Sequence, residues 1–120
     1  DAMEGERNLQ GFLKAYLALA SYYLVEPELE MNYGYCDFFL LPDKKRYPDI
    51  GHSYILELKY AGRTTTDTEL ETQAEEGRRQ LLQYSKDKIA LQLAKDTTLH
   101  LILLQFRGWD LVKCEEIVPC

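Results

Sequence analysis

Long hydrophobic runs and cysteine are both scarce in this sequence of 120 residues. Apolar runs such as Leu101-Ile102-Leu103-Leu104 fall far short of the ~20 residues that a membrane-spanning helix requires. No positively charged segment followed by an apolar stretch opens the chain, so a secretory signal is not indicated. The three cysteines, Cys36, Cys114 and Cys120, form no CxxC pair, which disfavours a disulfide framework or a zinc knuckle. We therefore expect a soluble, cytoplasmic protein.

Positive charge is also in short supply. The chain has 14 Lys and Arg against 20 Asp and Glu, which gives a net charge of −6 and a pI near 4.9. This acidic balance argues against a domain that binds nucleic acid through the electrostatic field of its overall charge. Binding of nucleic acid would therefore need local clusters of basic residues. An acidic chain suits a protein that holds divalent cations through carboxylate oxygens, although surface acid is far commoner than metal sites. The length is that of one domain, and no repeat or linker divides it.

Hydrophobic spacing predicts an α/β fold of order αβββαββ, with a mixed β-sheet flanked by helices. Apolar residues at intervals of three and four predict a first helix over residues 6–21 and a second over 69–84, with a further helical turn through Ala94. Asp67 or Thr68 is the predicted cap of the second helix. The predicted strands are an edge strand within 22–32, two central strands over 35–41 and 54–60, and a terminal hairpin of 99–106 and 109–118.

Three charged residues occupy the two predicted central strands. Glu57 and Lys59 alternate onto one face of the strand 54–60, and Asp37 falls opposite residues 57 to 59 if the two strands pair antiparallel. Two carboxylates so close are not both ionised unless a cation holds them, so the pattern favours a Mg²⁺ or Mn²⁺ site. The chemistry indicated is metal-assisted hydrolysis, with Lys59 stabilising the developing oxyanion. An ion pair of Lys59 with Asp37 or Glu57, without a ligand, is the alternative.

An Asp in one strand, followed by Glu-x-Lys in the next and with a helix on each side, resembles the PD-(D/E)xK nuclease superfamily. The blocks that carry the closer resemblance are 6–12, 32–37, 53–60 and 80–84, which are similar to the nuclease-like domain found C-terminal to an AAA-type ATPase module in bacterial proteins. The chain has no GxxxxGK[ST] motif, so we expect 1–120 to be a single nuclease-like domain of a longer, ATPase-containing protein.

This resemblance implies a restriction-endonuclease-like fold that hydrolyses phosphodiester bonds with Mg²⁺ or Mn²⁺. It implies that Asp37 and Glu57 bind the metal and that Lys59 is the catalytic lysine. A first-helix glutamate often joins such a site, and Glu6 matches it best, with Gln10 left open as the residue in that role. Gln80 matches a second-helix glutamine of the family.

The sequence departs from the family pattern in one place. Cys36 replaces the proline that normally precedes the aspartate, whereas Pro-Asp pairs occur at Pro42-Asp43 and Pro48-Asp49. Both pairs lie in the predicted polar loop, so Asp37 is the preferred candidate.

The resemblance implies nucleic acid as the partner, with DNA favoured over RNA, alongside the ATPase module. The tight basic clusters, Lys44-Lys45-Arg46 and Arg78-Arg79, are the places where a phosphate could be held. Self-association through a hydrophobic edge at 101–106 stays open. His52 and His100 are interpreted as isolated surface or packed residues, and Trp109 as an anchor of the terminal hairpin. The rival class is an inactive nuclease-fold module that binds protein or nucleic acid.

Overall fold

The computed structural model describes residues 23–31 and 34–119. Its strands are β1 (Tyr23–Met31), β2 (Gly34–Pro42), β3 (His52–Ala61), β4 (Thr98–Arg107) and β5 (Asp110–Ile117). Helix α1 (Asp67–Tyr84) and the short helix α2 (Lys88–Leu93) connect β3 to β4. The five strands form one mixed sheet in the order β1-β2-β3-β4-β5. The predicted α/β class with a mixed sheet is thereby confirmed for this part of the chain.

Strands β1, β2 and β3 form an antiparallel meander. Pro27 lies in β1, at the edge of the sheet, where a residue without a backbone N–H is tolerated. The β2–β3 ladder runs from Phe38↔Leu56 to Leu40↔Tyr54. The loop that joins these two strands, residues 43–51, is highly charged and contains Pro48 and Gly51, as the sequence predicts.

Strand β4 runs parallel to β3, and parallel neighbours require a long crossover connection. Helix α1 supplies most of it and begins with a capping box in which Thr66 accepts from the Glu69 N–H and the Glu69 carboxylate accepts from the Thr66 N–H. The predicted cap, Asp67 or Thr68, is one or two residues too late, because the Thr-x-x-Glu spacing of a capping box starts at Thr66.

The main core lies between α1 and one face of the sheet. Helix α1 contributes Leu70, Ala74, Gly77, Leu81 and Tyr84, which recur at three and four residues. Facing residues of the sheet include Phe39, Ile55, Leu101 and Leu103. A smaller cluster of Leu58 and Phe106 lies on the opposite face, because side chains alternate along each strand. Residues 55, 57 and 59 therefore face α1, whereas 54, 56 and 58 face away from it.

Three expectations about the ends of the fold have different outcomes. The terminal hairpin is formed by β4 and β5, and Trp109 lies in its turn with 57% of its surface exposed. Strand β4 is an inner strand whose edges are covered by β3 and β5, so residues 101–106 do not form an open edge. The predicted first helix, with Glu6 and Gln10, lies outside the described residues.

Among the residues described, no helix is long and apolar enough to cross a membrane.

Candidate functional site

Asp37 lies where the β2–β3 ladder ends. The register Phe38↔Leu56 extends by one step to place residue 37 opposite residue 57. Here the Leu58 N–H of β3 donates to Asp37 Oδ2 at 2.7 Å. The side-chain carboxylate thus takes the place that a backbone carbonyl of β2 has in the regular ladder. A charged acceptor makes this a stronger bond than a neutral one. The carboxylate is thus held against the backbone of β3 beside Glu57.

Glu57 and Lys59 form the charged pair of β3. Glu57 is only 4% exposed, and its Oε2 lies 3.6 Å from Lys59 Nζ. Carboxylates are rarely buried to this extent without a charged partner or a ligand. Both side chains face α1, as strand alternation predicts. The structure therefore brings Asp37, Glu57 and Lys59 together at one point between two neighbouring strands.

A glycine of α1 makes room for the lysine. A Cβ at Gly77 would lie 3.5 Å from both Cγ and Cε of Lys59 and 2.7 Å from Leu103 Cδ1. A Cβ does not approach another carbon as closely as 2.7 Å, so no larger residue fits at position 77 without displacing Leu103. Gly77 thus lets the helix pack directly onto the aliphatic stem of Lys59.

The buried amide of Gln105 and the half-buried amide of Gln73 hold the first half of α1 against the ends of β3 and β4. Gln105, 1% exposed, donates from Nε2 to the Leu70 carbonyl and to Gln73 Oε1, both at 2.8 Å. Gln73 in turn donates to the Tyr60 carbonyl at 3.0 Å. Gln105 is the β4 neighbour of Lys59, so this amide network fixes the helix next to the charged cluster. The roles of Gly77, Gln73 and Gln105 are not evident from the sequence, where a lone polar residue, Gln105, in the apolar run of β4 is the available signal.

Gln80 lies near the level of Glu57. Helix α1 runs back along the sheet, from Gln73 beside Tyr60 to Gly77 beside Lys59. Three further helical residues advance ~4.5 Å, or roughly one to two strand residues. The amide Oε1 of Gln80 is buried and has no hydrogen-bond partner among residues 23–31 and 34–119.

Tyr84, one turn beyond Gln80, is 3% exposed and belongs to the main core. Asp43 and Asp49 both lie in the loop 43–51, where Asp49 is exposed, so the aspartates of both Pro-Asp pairs lie outside the strands.

The donors at this cluster suit a hard divalent cation. Carboxylate oxygens are the ligands that Mg²⁺ and Mn²⁺ prefer, and Asp37 and Glu57 supply them from adjacent strands. Within the described ranges, no group of three or more His, Cys, Asp or Glu side chains is arranged to hold a metal. Two carboxylates are thus the protein ligands that this part of the chain offers, and Glu6 lies outside it.

The two predicted basic clusters differ in whether their side chains are available to contact a phosphate. Arg78 contacts Glu115 and Glu71, with nitrogen–oxygen distances of 2.9 and 3.0 Å, and these hydrogen bonds raise the pKa of its guanidinium above the ordinary value. It ties α1 to β5 rather than facing a ligand. Residues 44–46, by contrast, are exposed in the loop between β2 and β3. The loop cluster is the better candidate for contacting a phosphate backbone.

The two histidines are not isolated, contrary to the interpretation drawn from the sequence. His52 Nδ1 and His100 Nε2 are 2.9 Å apart, and His100 Nδ1 is 2.9 Å from Glu116 Oε2. The parallel pairing of β3 and β4 creates this cluster, because it places residues 48 positions apart in the sequence side by side.

Comparison with known proteins gives one match. A family model described as the PD-(D/E)XK nuclease superfamily matches residues 4–116, which is nearly the whole chain. Neither the curated proteins nor the solved structures gave a significant match.

Proposed function

The chain belongs to the PD-(D/E)XK nuclease superfamily, and from that membership we propose that it is a metal-dependent nuclease whose active site contains Asp37, Glu57 and Lys59. The observation that carries the proposal is the convergence of the three side chains at the end of the β2–β3 ladder, with Asp37 bound to the β3 backbone and Lys59 beside the buried Glu57. Membership in a nuclease superfamily implies a nucleic-acid substrate.

Asp37 and Glu57 would bind Mg²⁺ or Mn²⁺, and Glu6 is the proposed additional ligand. Nucleases of this superfamily usually use divalent metals, and the carboxylate donors present fit such an ion. When bound, the ion would lower the pKa of a coordinated water and neutralise charge on the phosphodiester. Its two positive charges would also offset the repulsion between the two carboxylates.

Lys59 has two tasks in this proposal. Its ammonium group lies 3.6 Å from Glu57 Oε2, so it orients that carboxylate. The same group is a donor for the negative charge that develops on the phosphoryl oxygens as the bond to the leaving oxygen breaks. Gly77 and the amide network of Gln73 and Gln105 keep Lys59 in place.

Gln80 is the proposed second polar contact from α1. Its amide oxygen is buried, and its N–H₂ group is the part that would donate to a water or a phosphate oxygen. An amide adds a donor without adding charge, which suits a site that already holds two carboxylates and a lysine.

The nucleic acid would be held by local contacts, because the chain carries a net charge of −6. The exposed loop cluster, residues 44–46, supplies positive charge for this purpose. We propose DNA ahead of RNA as the substrate, and this choice, like the association with an ATPase module and a bacterial origin, rests on the sequence resemblance alone.

Calorimetric titration with Mn²⁺ tests the metal site. We expect heat of binding with the wild type, little with Glu57→Gln, and unchanged heat with Asp49→Ala, which removes an exposed loop carboxylate as a matched control. Absence of binding to the wild type, or equal binding to Glu57→Gln, would refute the assignment.

Cleavage assays with plasmid and single-stranded substrates then test the activity. Lys59→Ala is expected to lower the cleavage rate by about 10²-fold or more while metal binding persists, because it removes a donor to developing charge and no metal ligand. Equal cleavage rates in Lys59→Ala and the wild type would contradict the role of this lysine.

The alternative function is an inactive nuclease-fold module that binds protein or nucleic acid. The ion pair of Lys59 with Glu57 favours it, because a buried carboxylate can be stabilised by a lysine without any metal. Retention of nucleic acid without metal binding or cleavage would support this alternative.

A further inference from the structure

We propose that His52 and His100 form a binding site for a zinc-type divalent cation on the sheet face that points away from α1. The two residues have even numbers in β3 and β4, so they lie on the same sheet face as Leu58 and Phe106. Glu57 and Lys59 project from the other face of the same sheet. The proposed site is therefore separate from the nuclease cluster and does not depend on nuclease function.

Two ring nitrogens converge at this point. His52 Nδ1 and His100 Nε2 are 2.9 Å apart, and the ring centroids are 5.0 Å apart. The parallel register pairs Tyr54 with His100 and Thr98 with His52, so the histidines are diagonal neighbours on one face. Imidazole nitrogen is a ligand for Zn²⁺, Co²⁺, Ni²⁺ and Cu²⁺, whereas Mg²⁺ and Ca²⁺ prefer oxygen.

The ring of His100 is held in place from two sides. Tyr54 stacks on it with a centroid distance of 4.9 Å and an interplanar angle of 22°. Glu116 Oε2 lies 2.9 Å from its Nδ1, which fixes the proton on that nitrogen when the imidazole is neutral. The Nε2 lone pair then points toward His52. A carboxylate behind a histidine in this way is the usual support of a metal-ligating imidazole.

Metal binding requires small changes only. Two nitrogens on a tetrahedral zinc, each at ~2.05 Å, are about 3.3 Å apart, so the present separation must widen by roughly 0.4 Å. His52 is exposed at the first position of β3, where its ring has room to turn. Its proton moves from Nδ1 to Nε2 through solvent, so the imidazole stays neutral and its Nδ1 lone pair becomes available.

The pair offers two protein ligands, and water would fill the remaining positions. Such a site is open, as catalytic zinc sites are, and binds more weakly than a closed four-ligand site. Its nitrogen donors distinguish it from the nuclease cluster, whose donors are carboxylates. Zinc and manganese should therefore prefer different faces of the same sheet.

Titration of the full chain with Zn²⁺, followed by calorimetry and by the histidine resonances in NMR spectra, tests this proposal. We expect His52→Ala and His100→Ala each to lower the affinity at least about 10-fold, and Glu116→Gln to lower it about 10- to 100-fold through the loss of its support. Asp49→Ala and Cys114→Ser, which remove an exposed loop carboxylate and an exposed thiol outside both metal sites, should leave it unchanged.

His52 is exposed, so its replacement leaves the packed core intact and keeps the test decisive. Zinc affinity that is unaffected in His52→Ala, or that disappears in Asp49→Ala or Cys114→Ser, would overturn the proposal. Failure of zinc to shift either histidine resonance at millimolar concentration would also overturn it. None of these results bears on cleavage by the Asp37, Glu57 and Lys59 cluster.

Discussion

Replacing Gly77 by alanine probes the packing that positions Lys59. The added Cβ would lie 2.7 Å from Leu103 Cδ1, roughly 1 Å inside the best carbon–carbon separation. Leu103 is fully buried in the main core, so its side chain has little space to retreat. The same Cβ would touch the stem of Lys59 at 3.5 Å, an ordinary contact distance.

Two effects of opposite sign set the size of the change. Alanine in place of glycine favours a helix interior by about 0.5–1 kcal/mol. Overpacking of a filled core costs about 1–3 kcal/mol. We therefore expect Gly77→Ala to lower the free energy of unfolding by about 0.5–2 kcal/mol. For a chain of this length, ~1 kcal/mol corresponds to about 4 °C in Tm, so Tm should fall by about 2–8 °C.

Urea denaturation followed by circular dichroism measures the loss. Gly51→Ala is the matched control, because a Cβ there meets no atom within 4 Å, and we expect a change within about 0.5 kcal/mol. In the double variant Gly77→Ala/Leu103→Val, removing the clashing carbon should make the combined loss smaller than the sum of the two single losses by about 0.5 kcal/mol or more. A Gly77→Ala variant as stable as the wild type, or strict additivity, would refute the reasoning.

Two further predictions concern the carboxylates. Asp37→Asn keeps an oxygen that can accept from the β3 backbone, so its free energy of unfolding should fall by less than about 1 kcal/mol. Asp37→Ala leaves the Leu58 N–H without this acceptor, so urea denaturation should show a loss of about 1–3 kcal/mol. Equal stability of the two variants would contradict the hydrogen bond. The hydrogen bond from Arg78 and the charge of Lys113 hold the pKa of Glu71 below its ordinary value of 4.5. The stabilising contribution of the Glu71 carboxylate is present above the ordinary value and is lost as pH falls through the depressed pKa. The Tm difference between wild type and Glu71→Gln should therefore shrink from about pH 6 to about pH 3. A Tm difference that stays constant over this range would contradict the linkage.

Local sequence patterns predicted correctly those features that depend only on residues close together in the chain. The spacing of Leu70, Ala74, Leu81 and Tyr84 predicted α1, and alternation around Glu57 predicted which residues share a sheet face. These patterns depend only on the helical and strand periods, which every chain obeys. The position of Asp37 opposite residue 57 followed once two neighbouring strands were assumed to pair antiparallel.

Contacts between distant segments were not predictable in this way. His52 and His100 look isolated in the sequence, because nothing in their spacing reveals that β3 and β4 are parallel neighbours. Gly77 fits the helix stripe as a small residue, but nothing in the local spacing indicates that Lys59 lies against it.

Periodicity and a short local motif are enough to predict the α/β class, the strands that carry Asp37, Glu57 and Lys59, and the family that these residues indicate. The folded arrangement adds three features: the Asp37 carboxylate ends a strand ladder, α1 packs over Lys59 at Gly77, and two histidines meet on the opposite face. The physical reason is that strand register and helix packing join residues far apart in the chain, and the free energy of these contacts depends on all the partners together.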